Sequence, residues 1–175
     1  LDGGAGDDVL AGGAGNDRYI VDNTGDLVQE NPVAGNDSVL ATVDYTLTAN
    51  IENLTLSGVA DLSGTGNALD NLINGNSGNN DGGTGIDTLI GGAGNDTYLI
   101  DHLLDTITEA ATPGEVDLAN INIAAAGGTY TLAANVENGT LTNTVAFNLT
   151  GNELDNILTG NAAANILDGG SGIDT

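Results

Sequence analysis

Along several stretches of the chain, polarity repeats every nine residues: six turn-forming residues, then three extended ones with an apolar side chain in the middle. GGAGDDVLA at 3–11 runs into GGAGNDRYI at 12–20, and GGTGIDTLI at 82–90 into GGAGNDTYL at 91–99, while GGSGIDT at 169–175 opens a further copy. A looser version replaces the second glycine and the aspartate: GNALDNLIN at 66–74, GNELDNILT at 151–159 and GNAAANILD at 160–168. Position eight is apolar in every complete copy, as Leu10, Tyr19, Ile73, Leu89, Tyr98, Leu158 and Leu167.

Alternation along a strand puts position eight on one face and positions seven and nine on the other. A turn, a short strand, a second turn and a second strand then close one coil in eighteen residues, with position eight filling the interior. Glycine supplies 28 of 175 residues, and strand formers alternate with polar partners in DSVLATVDYTL (37–47) and YLIDHLLDTIT (98–108), so helices are hard to place. The pattern predicts an all-β chain.

On a larger scale, the stretch from Gly12 to Ile90 returns from Gly91 onward, with ANIENLTL at 49–56 becoming ANVENGTL at 134–141. Residues 1–175 read as one continuous solenoid fragment with tandem modules 12–90 and 91–175, and 1–11 as the end of a preceding repeat block. The offset grows from 79 residues at the glycine pairs to 85 at the ENLTL segment, which places a six-residue insertion, hence a loop, near 101–130. At 75–80, GNSGNN meets the next glycine pair two residues early, so that coil is expected to lack its strand apex. Pro32 and Pro113 both fall in the intervening segments, leaving the nonapeptide strands free of proline.

Charge narrows the class of partner. The formal net charge is −24, from 25 acidic side chains against Arg18 alone. Such a chain repels nucleic acid and anionic membrane and cannot offset its own acids, so cations from solution are the natural counter-charge. Apolar residues in register argue against disorder. Cysteine is absent, which excludes disulfides and thiolate metal sites. No stretch reaches the roughly 18 apolar residues that span a bilayer, and Leu1 opens without a signal-peptide pattern, so membrane insertion is not expected. Sequons at Asn36, Asn53, Asn138 and Asn148 are read as chance in a chain rich in Asn, Ser and Thr.

Calcium takes six to eight hard oxygen ligands in flexible geometry. Glycines in the loop let the backbone visit positive φ and turn carbonyls toward a common point, while the aspartate at position six adds a carboxylate. These residues resemble the RTX, or hemolysin-type, nonapeptide GGxGxDxUx, a calcium-binding repeat of secreted and surface proteins of bacteria. The resemblance implies a parallel β-roll, a right-handed β-solenoid, with calcium held between loops eighteen residues apart. Carried over residue by residue, the metal ligands are Asp8, Asp17, Asp87, Asp96 and Asp174. The loop glycines are Gly4, Gly6, Gly13, Gly15, Gly83, Gly85, Gly92, Gly94, Gly170 and Gly172.

The chain departs from that pattern, because no strict GG loop has a second one eighteen residues away, so each site must be asymmetric. The loop at 82–87 is expected to stack on 66–71 with Asn71 opposite Asp87, and 91–96 on 75–80 with Asn80 facing Asp96. Sites pairing Asp with Asn should be weaker, since an amide oxygen brings no charge. The GN blocks are read as asparagines that hydrogen-bond along the solenoid without metal. Asp22, Asp26, Asp101 and Asp105 fall where the next coil passes and are candidate extra ligands, with a solvated acidic face as the preferred reading.

Rival chemistry fares poorly. There is no lysine for a P-loop, and Arg18 stands where a dinucleotide fingerprint needs its third glycine. His102 is the lone histidine and is read as a loop residue. One Phe, four Tyr and no Trp make a poor sugar platform for a glycosidase acid pair such as Asp7 and Asp8. The chain is therefore read as non-enzymatic: an extracellular calcium-binding structural module that folds and rigidifies with the ion, exported by type I secretion as the resemblance implies. Alternatives are a self-assembling part of a surface layer, adhesin or filament, and the non-catalytic module of a secreted hydrolase. Partners are calcium ions and copies of the chain end to end.

Overall fold

After a six-residue turn, a nine-residue unit has three residues left to extend, and strands in the computed structural model are two to four residues long. The structure describes every residue except 33, 59–61, 70, 76, 77, 84 and 93. Among the described residues there is no helix. Successive strands alternate between two faces of a flattened coil. One face holds β1 (Val9–Ala11), β3 (Leu27–Gln29), β5 (Tyr45–Thr46), β7 (Gly64–Thr65), β9 (Asn79–Asp81), β11 (Thr97–Ile100), β13 (Leu118–Ile121), β15 (Asn138–Leu141) and β17 (Ile157–Thr159). The other holds β2 (Arg18–Val21), β4 (Ser38–Ala41), β6 (Asn53–Leu56), β8 (Leu72–Asn74), β10 (Thr88–Ile90), β12 (Thr106–Thr108), β14 (Thr129–Thr131), β16 (Asn148–Thr150) and β18 (Leu167–Asp168). Every pairing is parallel, each strand bonding the strand one coil away, and the stack is the β-solenoid of a β-roll.

The ladder is interrupted once on each face, between β3 and β5 and between β12 and β14. Both interruptions follow the longer intervals between strands, 30–37 before β4 and 109–117 before β13. Coil length is eighteen residues from Val9 to Leu27 and from Thr88 to Thr106, and sixteen between the paired nonapeptides at Leu72 and Thr88. It falls to fifteen between Ser38 and Asn53 and rises to twenty-one between Thr97 and Leu118. Asp37 corresponds to Asp117 and Tyr45 to Tyr130, so most of the insertion lies in the loop at 122–128, where Gly127 turns the chain with φ 82°.

Position eight is interior, as the alternation requires. Tyr19, Ile73, Leu89 and Tyr98 are fully buried, with Leu10 and Leu158 nearly so. Each aliphatic side chain removed from water there contributes ~1.5–3 kcal/mol. Leu167 differs: on β18, at the edge of its ladder, it is 43% exposed. The shortened coil also differs from expectation. β9 pairs with β11 so that the Asn80 backbone stands opposite Tyr98 and fills the apex that this coil was expected to lack, while its side chain lies beside the Asp96 carboxylate as the spacing predicts. Four residues separate β8 from β9 where six separate β10 from β11, and of those four, 76 and 77 lie outside the described residues.

Candidate metal sites

Each strict loop closes on its own position-six carboxylate. A methyl group added to Gly3, Gly82 or Gly169 would overlap Asp8, Asp87 or Asp174 of the same loop, so position one has no room for a side chain. The loops turn through left-handed backbone: φ lies between 78° and 133° at Gly4, Gly6, Gly13, Gly15, Gly83, Gly92, Gly94, Gly170 and Gly172. Only glycine holds such angles without strain.

The coils are tied together along their edges by carboxylates that accept from backbone N–H groups of the preceding coil. Asp8 N donates to Asp26 Oδ1 at 3.0 Å, Asp17 N to Asp37 Oδ1 at 2.8 Å, Asp87 N to Asp105 Oδ1 at 3.0 Å and Asp96 N to Asp117 Oδ1 at 2.8 Å. Asp37 N and Asp117 N in turn donate to Glu52 and Glu137, both at 2.8 Å. Asn71 N donates to Asp87 Oδ1 at 2.7 Å, which places Asn71 and Asp87 together as the spacing predicts. Asp26 and Asp105 are not part of a solvated face. Both are buried, and each also accepts from two N–H groups of its own turn, Asp22 and Asn23 or Asp101 and His102. His102 is a turn residue whose Nδ1 accepts from Leu104 N at 3.2 Å.

In the GN loops an amide does what a cation would do elsewhere. Asn67 Nδ2 donates to the carbonyls of Thr48 and Ile51, and Asn152 Nδ2 to those of Ala133 and Val136. Asn71, Asn156, Asn161 and Asn165 reach carbonyls of the preceding coil in the same way. Their partners are main-chain oxygens more than other asparagines, but no metal is needed to satisfy them.

The position-six aspartates present the opposite situation. Oδ2 of Asp8, Oδ2 of Asp17 and both carboxylate oxygens of Asp96 are buried with no hydrogen-bond donor, as is Oδ2 of Asp37. Two acidic groups gather around them: Asp17 with Glu30 and Asp37, and Asp96 with Glu109 and Asp117, each with one oxygen per residue mutually within 4.8 Å. Tyr19 and Tyr98 donate their hydroxyls to Glu30 and Glu109. At an effective dielectric near 20, two charges that close repel by about 3 kcal/mol. Three such pairs approach about 10 kcal/mol before screening at the half-exposed glutamates, against a whole-domain stability of about 5–15 kcal/mol. An ionised group without a counter-charge therefore costs a large share of that stability. At the second group, without metal, burial first and then the neighbouring Glu109, Asp117 and Glu115 push Asp96 up to about 7. Burial likewise raises Glu109 to about 7 and raises Asp117.

Oxygen-only donors, partnerless buried carboxylate oxygens and glycine-turned loops fit a hard cation such as calcium. Glu30, Asp37, Glu109 and Asp117 were missed from the sequence, since they lie outside the nonapeptides. A signal existed: in GNDSVL (35–40) and GEVDLAN (114–120) an aspartate directly precedes a strand, as position six does.

Comparison with known proteins gives one family. The RTX calcium-binding nonapeptide repeat matches in 4 copies, over residues 1–27, 81–99 and 148–175. Neither the curated proteins nor the solved structures yielded a match.

Proposed function

The chain carries RTX calcium-binding nonapeptide repeats, and we propose that it is the calcium-dependent structural module of a secreted or cell-surface protein, folding and stiffening as it binds the ion. RTX nonapeptides bind calcium, the RTX solenoid is a structural, non-catalytic kind of domain, and proteins bearing it are typically secreted by bacteria. The ligands we assign are the position-six carboxylates of Asp8, Asp17, Asp87, Asp96 and Asp174, with loop carbonyls oriented by the glycines. The observation that carries this reading is the burial of carboxylate oxygens of Asp8, Asp17 and Asp96 without any donor. The tandem modules 12–90 and 91–175 belong to the same proposal, supported by the recurrence of Asp17, Glu30 and Asp37 as Asp96, Glu109 and Asp117. So does end-to-end pairing of copies, which sedimentation in calcium and in equal magnesium would read.

The test is circular dichroism and thermal unfolding in millimolar calcium, in equal magnesium and in EGTA. Ligand at a hundred times its Kd adds about 2.7 kcal/mol per site to the native state. Loss of the β signal or a large drop in melting temperature in EGTA is expected, with magnesium a poor substitute because it holds its water and demands octahedral geometry. A β signal and melting temperature indifferent to EGTA would falsify the proposal.

A further inference from the structure

No two strict GG loops stack on each other here, so the position-six aspartates must find other partners. At Asp17 and Asp96 those partners come from the intervening segments. Glu30 and Asp37, and Glu109 and Asp117, lie outside the residues that match the nonapeptide family. Yet they bring carboxylate oxygens within 4.8 Å of Asp17 and of Asp96. Acid clusters are common on surfaces, but these are not surface clusters. Asp37, Asp96 and Asp117 are no more than 2% exposed, and Asp37 and Asp96 aim buried oxygens that no donor meets into the cluster. Asp37 and Asp117 are held there by the N–H groups of Asp17 and Asp96, and the glutamates by the tyrosine hydroxyls. Even the glycine opening the loop is constrained: a methyl on Gly91 would overlap Tyr98 Oη and crowd the Glu109 and Asp96 carboxylates.

We propose that Asp17, Glu30 and Asp37, and likewise Asp96, Glu109 and Asp117, form two calcium sites in which a motif-free segment replaces the second nonapeptide loop and is pinned to the solenoid by the ion. This rests on the calcium reading of the loops above. Ligands of one calcium stand at about 2.3–2.6 Å from it, so oxygens up to about 5 Å apart can share it. Zinc favours nitrogen and sulfur in a closed tetrahedron, which this all-oxygen set does not offer. Three carboxylates, mono- or bidentate, leave room for main-chain oxygen or water to complete the six to eight ligands calcium takes.

The tyrosines supply the readout. Terbium replaces calcium, and tyrosine excitation sensitises its emission only at close range. The chain has no tryptophan to compete. Wild-type protein in calcium-free buffer should emit on tyrosine excitation, and calcium should quench the emission by displacement. Glu30→Gln with Glu109→Gln should lose most of the emission and bind two fewer calcium ions per chain by equilibrium dialysis. Tyr19→Phe with Tyr98→Phe, which keeps every carboxylate and guards against a glutamine variant that fails to fold, should lose most of the emission while still binding calcium. If wild type binds neither ion, the calcium reading of the loops fails as well. If wild type binds calcium but the glutamine variant binds as many ions, or the phenylalanine variant emits undiminished, this inference alone is overturned.

Discussion

The acidic group at Asp17 and the one at Asp96 are assembled from matching residues in matching order, but on opposite faces and over different cores. β2, which follows Asp17, belongs to the six-stranded sheet, and β11, which follows Asp96, to the seven-stranded one. Eight strands lie between the two, so an odd number of steps leads from one to the other and the second copy is turned by half a coil. β11 is flanked by β9 and β13, whereas β2 pairs with β4 and is otherwise met only by the single bridge from Asp2 to Ile20. That packing explains why Asp96 is 1% exposed while Asp17 is only partly buried. Beneath the sites, the interiors have traded residues. In the first half Leu54 fills the core beside Gly64; in the second the corresponding residues are Gly139 and Leu149. Large and small have changed places, so the volume is kept while the side that supplies it is not. The comparison teaches that the sites hold their residues in place while the core tolerates exchange.

Exchanging one member without the other should break that balance, and this is the largest effect expected. A Cβ on Gly139 would already lie 2.9 Å from Leu149 Cδ2 and 3.0 Å from Leu132 Cδ2, so Gly139→Leu overpacks the interior. A loss of ~1–3 kcal/mol is expected by urea unfolding in saturating calcium. Adding Leu149→Gly should restore much of it, reproducing the arrangement of the first half. Additive losses in the double variant would show that the two positions do not compensate each other.

A second contrast separates carboxylates that cap backbone from those that crowd one another. Asp105→Ala strands three backbone N–H groups and should lower stability in calcium and in EGTA alike. Asp96→Asn should instead weaken calcium binding and, in EGTA, raise stability, because it removes a charge from a cluster that has no counter-ion. Asp17→Asn should do the same to a smaller extent, being nearer water. Calcium titration midpoints and melting temperatures in EGTA read both. If Asp96→Asn destabilises the calcium-free protein as Asp105→Ala does, the crowding argument is wrong.

The nine-residue period made the solenoid legible, since turn chemistry, strand length and the interior position all repeat in phase: Leu10, Tyr19, Ile73, Leu89 and Tyr98 lie where the alternation puts them. The partnership of Asn71 with Asp87 follows from counting residues along the coil. Counting failed where coil length changes. The Asn80 backbone pairs two residues further on, with Tyr98, because strand pairing takes the interior register, although its side chain still lies beside Asp96. It failed again at Asp37 and Asp117, which meet the nonapeptide loops across coils of twenty and twenty-one residues, and at Glu30 and Glu109, which reach the same loops from within the coil. Asp26 and Asp105 could be placed from spacing but not understood, as burial and the N–H groups that turn toward them are properties of the folded turn.

The smallest effect expected is on pH dependence, and it isolates the second acidic group. Asp96 and Glu109 stand at about 7 in the folded metal-free protein, and Asp117 is raised as well, while carboxyl groups in the unfolded chain titrate near about 4. Between those values the folded state holds more protons than the unfolded one. Stability from these groups is thus fully present below about pH 4 and is lost as pH rises through about 7. In EGTA the melting temperature should fall between about pH 5 and pH 8. General repulsion in so acidic a chain contributes a slope of the same sign, so the variant must be compared with a charge-matched control. Glu109→Gln should flatten the slope, whereas Glu153→Gln, on an exposed turn, removes the same charge and should leave it nearly unchanged. Calcium should flatten it too, since a bound cation displaces the protons that would otherwise neutralise the group. Equal slopes in Glu109→Gln and Glu153→Gln would mean that the pH response belongs to the chain's overall charge and not to the cluster at Asp96.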